Sequence, residues 1–181
     1  MTRAAINDDV KIAKVSAGAA GDHLDDLAAL LHACVLDGAS VGFVLPFAIA
    51  DSVAFWRDRV LPGVAAGTSL MLVADVGGQL AGTVLLDCDT MPNQPHRAEV
   101  RKLLVHPAHR RRGIARALMA ELERLAATHG RRLLTLDTRT GDSAEPLYAA
   151  LGYRTSGVIP GYCLDPSADR LDPTTIMYKT L

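Results

Sequence analysis

Apolar residues recur along the chain in two rhythms, a period of two that marks strands and a period near 3.6 that marks helices, and their succession predicts a mixed α/β fold. Residues 10–16 alternate as a short strand. Leu24, Leu27, Leu31 and Val35 then stand at helical spacing behind Gly21 and Asp22, with Asp22 the expected N-cap. Val53, Phe55, Trp56 and Val60 predict a second helix over 51–61, which Pro62 and Gly63 are expected to stop. Residues 69–76 and 79–88 are β-rich and flank Gly77-Gly78, a two-residue link that tolerates the positive φ angles of a tight hairpin turn.

A polar loop over 89–96 leads into a strand over 98–105, where strict alternation places Glu99, Arg101, Leu103 and Val105 on one face. Ile114, Leu118, Leu122 and Leu125 form the apolar stripe of an amphipathic helix over 114–128, closed by Gly130. Residues 133–138 read as a buried strand reached through that helical crossover, hence parallel to 98–105. A short helix over 143–151 precedes Gly152, and strands near 153–158 and 174–179 complete the series. No repeat or low-complexity linker interrupts it, and 181 residues suit one core, so a single domain over 1–181 is expected.

Composition narrows the function classes. With 49% hydrophobic residues and a net charge of −1, the chain is globular and carries no overall basic field for a phosphate backbone. Aromatic residues, at 4%, are too few to favour base-stacking platforms, so no nucleic-acid partner is expected. Cys34, Cys88 and Cys163 are odd in number and lack a CxxC pair, which argues against a disulfide framework and a zinc ribbon. Residues 1–15 include Asp8, Asp9, Lys11 and Lys14 with no apolar stretch of the signal-peptide kind, and no later apolar run approaches about 18 residues. A cytoplasmic protein, neither secreted nor membrane-spanning, is expected; its assembly as a monomer or a homodimer is left open.

The chemistry concentrates in residues 103–115, where a strand ends, a turn containing Pro107 intervenes and a helix begins. Free amides at a helix N-terminus bind anions, Gly113 and Ala115 permit close backbone approach, and Arg110, Arg111 and Arg112 add positive charge. The stretch therefore reads as a cradle for a diphosphate, although three arginines before a helix also suit a solvated turn. Neither G-x-x-x-x-G-K-[ST] nor G-x-G-x-x-G occurs, which disfavours nucleoside-triphosphate hydrolysis and a dinucleotide site.

Arg110-x-x-Gly113-x-Ala115 resembles the acetyl-CoA signature R/Q-x-x-G-x-G/A of the Gcn5-related N-acetyltransferase (GNAT) superfamily, and Ala144, Tyr148 and Gly152-Tyr153 resemble its A-x-x-x-Y-x-x-x-G-[YF] region. The resemblance covers most of the chain. It implies a central, mostly antiparallel mixed sheet with one splayed parallel pair, flanked by helices, and acetyl-CoA as cosubstrate with no metal. It also implies cofactor contacts at Leu103, Val105, Arg110, Arg111, Arg112, Gly113, Ile114, Ala115 and Ala144. Segments 38–43, 97–100, 136–138 and 160–163 are further similar to the tabtoxin-resistance acetyltransferases, which implies an amino-acid-like toxin as a candidate acceptor. Two positions depart from the superfamily pattern: Gly141 stands where Asn is common, and Arg111 where Gly is common.

Acetyl transfer to an amine needs a neutral nucleophile, and a carboxylate can both attract an ammonium and help remove its proton. Glu99 and Asp137, on strands expected to be neighbours, are the candidate bases, and Glu99 falls within the E-[IV]-x-x-L-x-V pattern of the resemblance. The backbone N–H of Val105 is placed to stabilise the thioester oxygen. The resemblance assigns Tyr148 to the leaving thiol, while a packed helix tyrosine is the plainer alternative. Cys88 and Cys163 match no nucleophile pattern, which favours direct transfer. His106 and His109 flank Pro107 without a third ligand, so no metal is assigned. The competing classes are a protein or peptide acetyltransferase, a noncatalytic acyl-CoA-binding module, and a nucleic-acid binder using the three arginines.

Overall fold

A computed structural model describes residues 9–181, so residues 1–8 of the leading segment read above lie outside the described residues. The chain runs through β1 (Val10–Lys14), α1 (Leu24–Leu36), α2 (Ile49–Phe55), α3 (Leu61–Ala66), β2 (Ser69–Val76) and β3 (Gln79–Asp87). It continues through β4 (Arg97–Val105), α4 (Ile114–Thr128), β5 (Leu133–Arg139), α5 (Ala144–Ala150), β6 (Arg154–Leu164) and β7 (Leu171–Thr180). The strands form one sheet in the order β1-β2-β3-β4-β5-β7-β6, antiparallel throughout except for the parallel pair β4–β5. This is the expected α/β layer arrangement. Among the described residues no helix is long and apolar enough to cross a membrane.

Each face of the sheet carries its own core. On one, Leu72, Leu86, Val100, Leu134 and Leu136 pack against the α4 stripe of Ile114, Leu118 and Leu122. On the other, Met71, Val73, Leu85 and Leu104 pack against Leu27 and Leu31 of α1, Trp56 and Val64. Gly82 on β3 sets how closely α4 approaches, because a Cβ there would lie 2.8 Å from the Leu104 carbonyl oxygen and 3.2 Å from both Ile114 and Leu118.

Three expectations are corrected. Asp22 is not the N-cap of α1, because a 3-10 segment over Ala17–His23 feeds the helix and His23 takes the cap position without a side-chain bond. The second helix is not stopped by Pro62 and Gly63: a π-helical turn over Trp56–Val60 leads directly into α3, where Pro62 sits in the first turn and needs no amide partner. Gly67, at φ 75, is the stop.

The third correction matters most for function. Glu99, Arg101, Leu103 and Val105 do not share one face. Arg101 pairs with Leu85 and Leu104 with Thr83, so β4 uses one residue more than β3 at this point, and the bulged Lys102 takes φ 51. The side-chain alternation shifts by one. Ala98 and Val100 before the bulge, and Leu103 and Val105 after it, meet the α4 core, while Leu104 meets the α1 core. By alternation, Glu99 and Arg101 lie on the α1 side.

Gly82→Ala is expected to cost about 1–3 kcal/mol of stability, read as a lower denaturant midpoint, as overpacking of a close backbone contact does. An unchanged midpoint would contradict the close seating of α4 on β3.

Candidate active site

The parallel pair is short. Pairing between β4 and β5 is confined to Arg97–Leu133, Ala98–Leu134 and Glu99–Thr135, after which the strands separate. The closed end is stitched by Arg131, whose guanidinium donates to the carbonyl oxygens of Pro95 at 2.7 Å, Arg97 at 3.0 Å and Cys88 at 3.3 Å. The amides of Arg132 and Leu133 both donate to the His96 carbonyl. Beyond Glu99 the strands form an open wedge. At its β4 wall the His106 amide donates to Ala81 O on β3 at 2.9 Å, so the Val105 N–H, one residue earlier, faces the other way, into the gap.

Immediately after Val105 the chain forms the turn expected to cradle an anion. A 3-10 turn over Pro107–His109 leads to Arg111 at φ 64 and to Gly113, the α4 N-cap, at φ 81. After Arg110, whose amide donates to Pro107 O at 3.4 Å, the next amide with a backbone partner is that of Ala117, which donates to Gly113 O. The amides of residues 111–116 donate no hydrogen bond among the described residues, and the first turn of α4 carries no acid. These free donors at a positive helix end fit a diphosphate. Arg111, at the place where Gly is common, holds the left-handed conformation that Gly adopts freely. Gly141, at φ 80, likewise occupies a conformation open to Asn, and its amide donates to Glu145 at 2.7 Å.

The arginines are not equivalent. Arg110 pairs with Asp37 at the end of α1 and reaches Val105 O through Nε, which ties the cradle to the helical layer. Arg112 bonds His109 Nδ1 at 3.1 Å. His106 uses its own Nδ1 to accept from the Ala108 amide, so both histidines serve the turn.

The two faces of the wedge carry different chemistry. Leu134 and Leu136 of β5 face the α4 core, so Asp137 shares the α1 side with Glu99, one diagonal step along the parallel pair. Glu99 has no ion pair or side-chain hydrogen bond among the described residues, and Asp137 accepts only a long bond, 3.4 Å, from the Thr174 hydroxyl. Tyr148 lies on the α4 side, packed at 5.8 Å from the Tyr153 ring. Burial, reinforced by the negative charges of Asp137 and Asp142, pushes its phenol pKa up, so it remains a proton donor at neutral pH. Ala144, at the start of α5, packs at the edge of the same core.

Residues 43–153 match the family model described as the acetyltransferase (GNAT) family. The chain belongs to the GNAT acetyltransferase family. Solved structures agree on the fold. A ribosomal-protein-alanine N-acetyltransferase from Brucella melitensis superposes with a TM-score of 0.75 at 20% identity, covering 94% of this chain and 99% of that one. An N-acetyltransferase from Staphylococcus aureus Mu50 gives 0.77 at 16%, covering 94% and 98%. A Salmonella typhimurium structure described as an acetyltransferase with its cofactor acetyl-CoA gives 0.73 at 19%, covering 95% and 94%. This acetyltransferase uses acetyl-CoA as acetyl donor, and the free amides of residues 111–116 are a chemically suitable holder for its diphosphate.

One residue escaped the sequence reading. Lys102, on the bulge, projects to the α1 side, where Nζ donates to Val41 O at 2.6 Å and lies over the rings of Phe55 at 5.1 Å and Phe43 at 5.7 Å. Burial, with the repulsion of Arg101, lowers its pKa to about 8 against the partial support of Asp137. Its only sequence signal is the Leu103-Leu104 doublet, which breaks the alternation without saying where.

In a spectrophotometric titration, Tyr148→Phe is expected to remove a phenol that ionises above the ordinary value near 10. Because the fold holds that proton to higher pH than the unfolded chain does, its contribution to stability is lost as pH rises through the folded value. Loss of a phenol ionising at or below pH 10 would contradict the placement.

Proposed function

We propose that this acetyltransferase transfers acetyl directly from acetyl-CoA to the amine of a small acceptor that enters from the α1 side of the wedge. The observation that carries the reading is the division of the wedge, with two free or weakly bonded carboxylates on one face, a protonated tyrosine on the other and the cradle at its end. Acetyl-CoA supplies an activated acetyl group as a thioester. Glu99 and Asp137 draw the acceptor ammonium in, and one of them, directly or through water, takes its proton. The Val105 N–H, pointing into the gap, donates to the thioester oxygen as charge builds there. Tyr148 donates a hydrogen bond to the departing sulfur. Its raised pKa suits it to that bond more than to complete loss of its proton, since a thiol is the stronger acid. Leu103, Val105 and Ala144 flank the acyl arm, and residues 110–115 hold the diphosphate.

Segments 38–43 and 160–163, the source of the resemblance to the tabtoxin-resistance enzymes, meet in the fold: Ser40 Oγ lies 3.7 Å from Cys163 Sγ, and the Leu45 amide donates to Pro166 O at 2.8 Å. This contact supports a walled acceptor site suited to a small amino-acid-like compound, with tabtoxinine-β-lactam a candidate.

Incubation with acetyl-CoA and a panel of tabtoxinine-β-lactam, amino acids, polyamines, aminoglycosides and lysine or N-terminal peptides, read by free thiol and product mass, tests the reading. Turnover confined to peptides would overturn it. Glu99→Gln or Asp137→Asn is expected to lower kcat by at least about tenfold, and the loss at the base should shrink at high pH, where more acceptor is already neutral. Arg110→Ala with Arg112→Ala should weaken CoA binding by about tenfold, less at high salt. Unchanged affinity in the folded double variant would remove the cradle assignment.

A further inference from the structure

We infer that Lys102 is the acceptor-carboxylate site of this enzyme, so that its preferred acceptors are zwitterionic amino acids rather than simple amines. The inference rests on the small-acceptor reading and narrows it. Lys102 is an ammonium without a counter-ion: it makes no ion pair within 4.0 Å among the described residues, and a single carbonyl, that of Val41, takes one of its three donors. The neighbouring cation, Arg101, is already held by Asp87 at 2.8 Å. Lys102 is half-buried, with two aromatic rings beside its ammonium, where an added anion is screened less than at an open surface.

Its position gives the charge a use. The bulge turns Lys102 to the same side of the sheet as Glu99 and Asp137, three residues beyond the last β4–β5 pair, at the mouth of the wedge. That side therefore offers two carboxylates and one unpaired ammonium. A monoamine or polyamine satisfies the carboxylates and leaves Lys102 without an anion; an amino acid satisfies both. Burial and the nearby Arg101 depress the pKa of Lys102 with only partial offset from Asp137, and a value of about 8 keeps it mostly protonated at pH 7. Val41 and Phe43 belong to the loop that meets Cys163 and Pro166, so an acceptor bound to Lys102 would lie under that loop.

The test compares L-amino acids with their α-carboxamides, side chain for side chain, in wild type, Lys102→Met and Lys102→Arg. A charge-assisted bond predicts that wild type prefers the acid by about ten- to hundredfold in kcat/KM, expressed mainly in KM. Lys102→Met should bring that ratio within about twofold of one, and Lys102→Arg should restore part of it. Calorimetric CoA binding reports that each variant is folded. If Lys102 only braces the loop, Lys102→Met will depress acid and amide alike and leave the ratio intact, which would overturn the inference. Equal use of acid and amide by wild type would overturn it too while leaving the small-acceptor reading standing. Turnover of peptides alone would sink both.

Discussion

The separation of β4 from β5 after three residue pairs is the constraint on which the rest of the site depends. A parallel pair that continued to Val105 would satisfy its own backbone groups and leave no room between the strands. Here Arg131 and the His96 carbonyl fasten one end, and the other opens. The Val105 amide is left pointing into a gap where a ligand or water can meet it. β7 pairs with all of β5, from Leu133 to Arg139, so the far wall is fully paired while the near one diverges. The opening is thus a built feature of a well-paired sheet.

The bulge at Lys102 then decides what each side of the opening carries. An unbulged β4 would have put Glu99 and Val105 on the same face. With the extra residue, Leu103 and Val105 turn to the α4 core, the side the proposed reading gives to the acyl arm, while Glu99 and Lys102 lie on the α1 side, which it gives to the acceptor. Positive φ at a non-glycine residue costs about 1–2 kcal/mol, and both Lys102 and Arg111 adopt it, one on the α1 side of β4 and one in the turn before α4. Strain of this kind often collects at functional sites, and here it falls at the two places where the proposed reading has the chain present charge or amides to a ligand.

Regular elements were legible in the sequence because their signals are local. The Gly77-Gly78 hairpin, the α4 stripe from Ile114 to Leu125 and the crossover to a parallel β5 all follow from periodicity and turn chemistry. The strand-turn-helix setting of Arg110-x-x-Gly113-x-Ala115 was legible for the same reason. The bulge was not, because it is a shift in register against β3, which is distant in the chain. Pro62 misled for a related reason: a breaker in the interior of a helix is acceptable in a first turn, and only the π-helical turn before it makes one. Lys102 and its aromatic neighbours Phe43 and Phe55 come together only in the fold.

The central claim is that one gap, with its adjoining nest of amides, holds acetyl-CoA. Backbone amide chemical shifts followed during a CoA titration test it most directly. The account predicts that the largest, saturable changes fall at Val105 and residues 111–116, with β1 and the outer part of β6 unmoved. Saturable binding that leaves Val105 and residues 111–116 unshifted would contradict it.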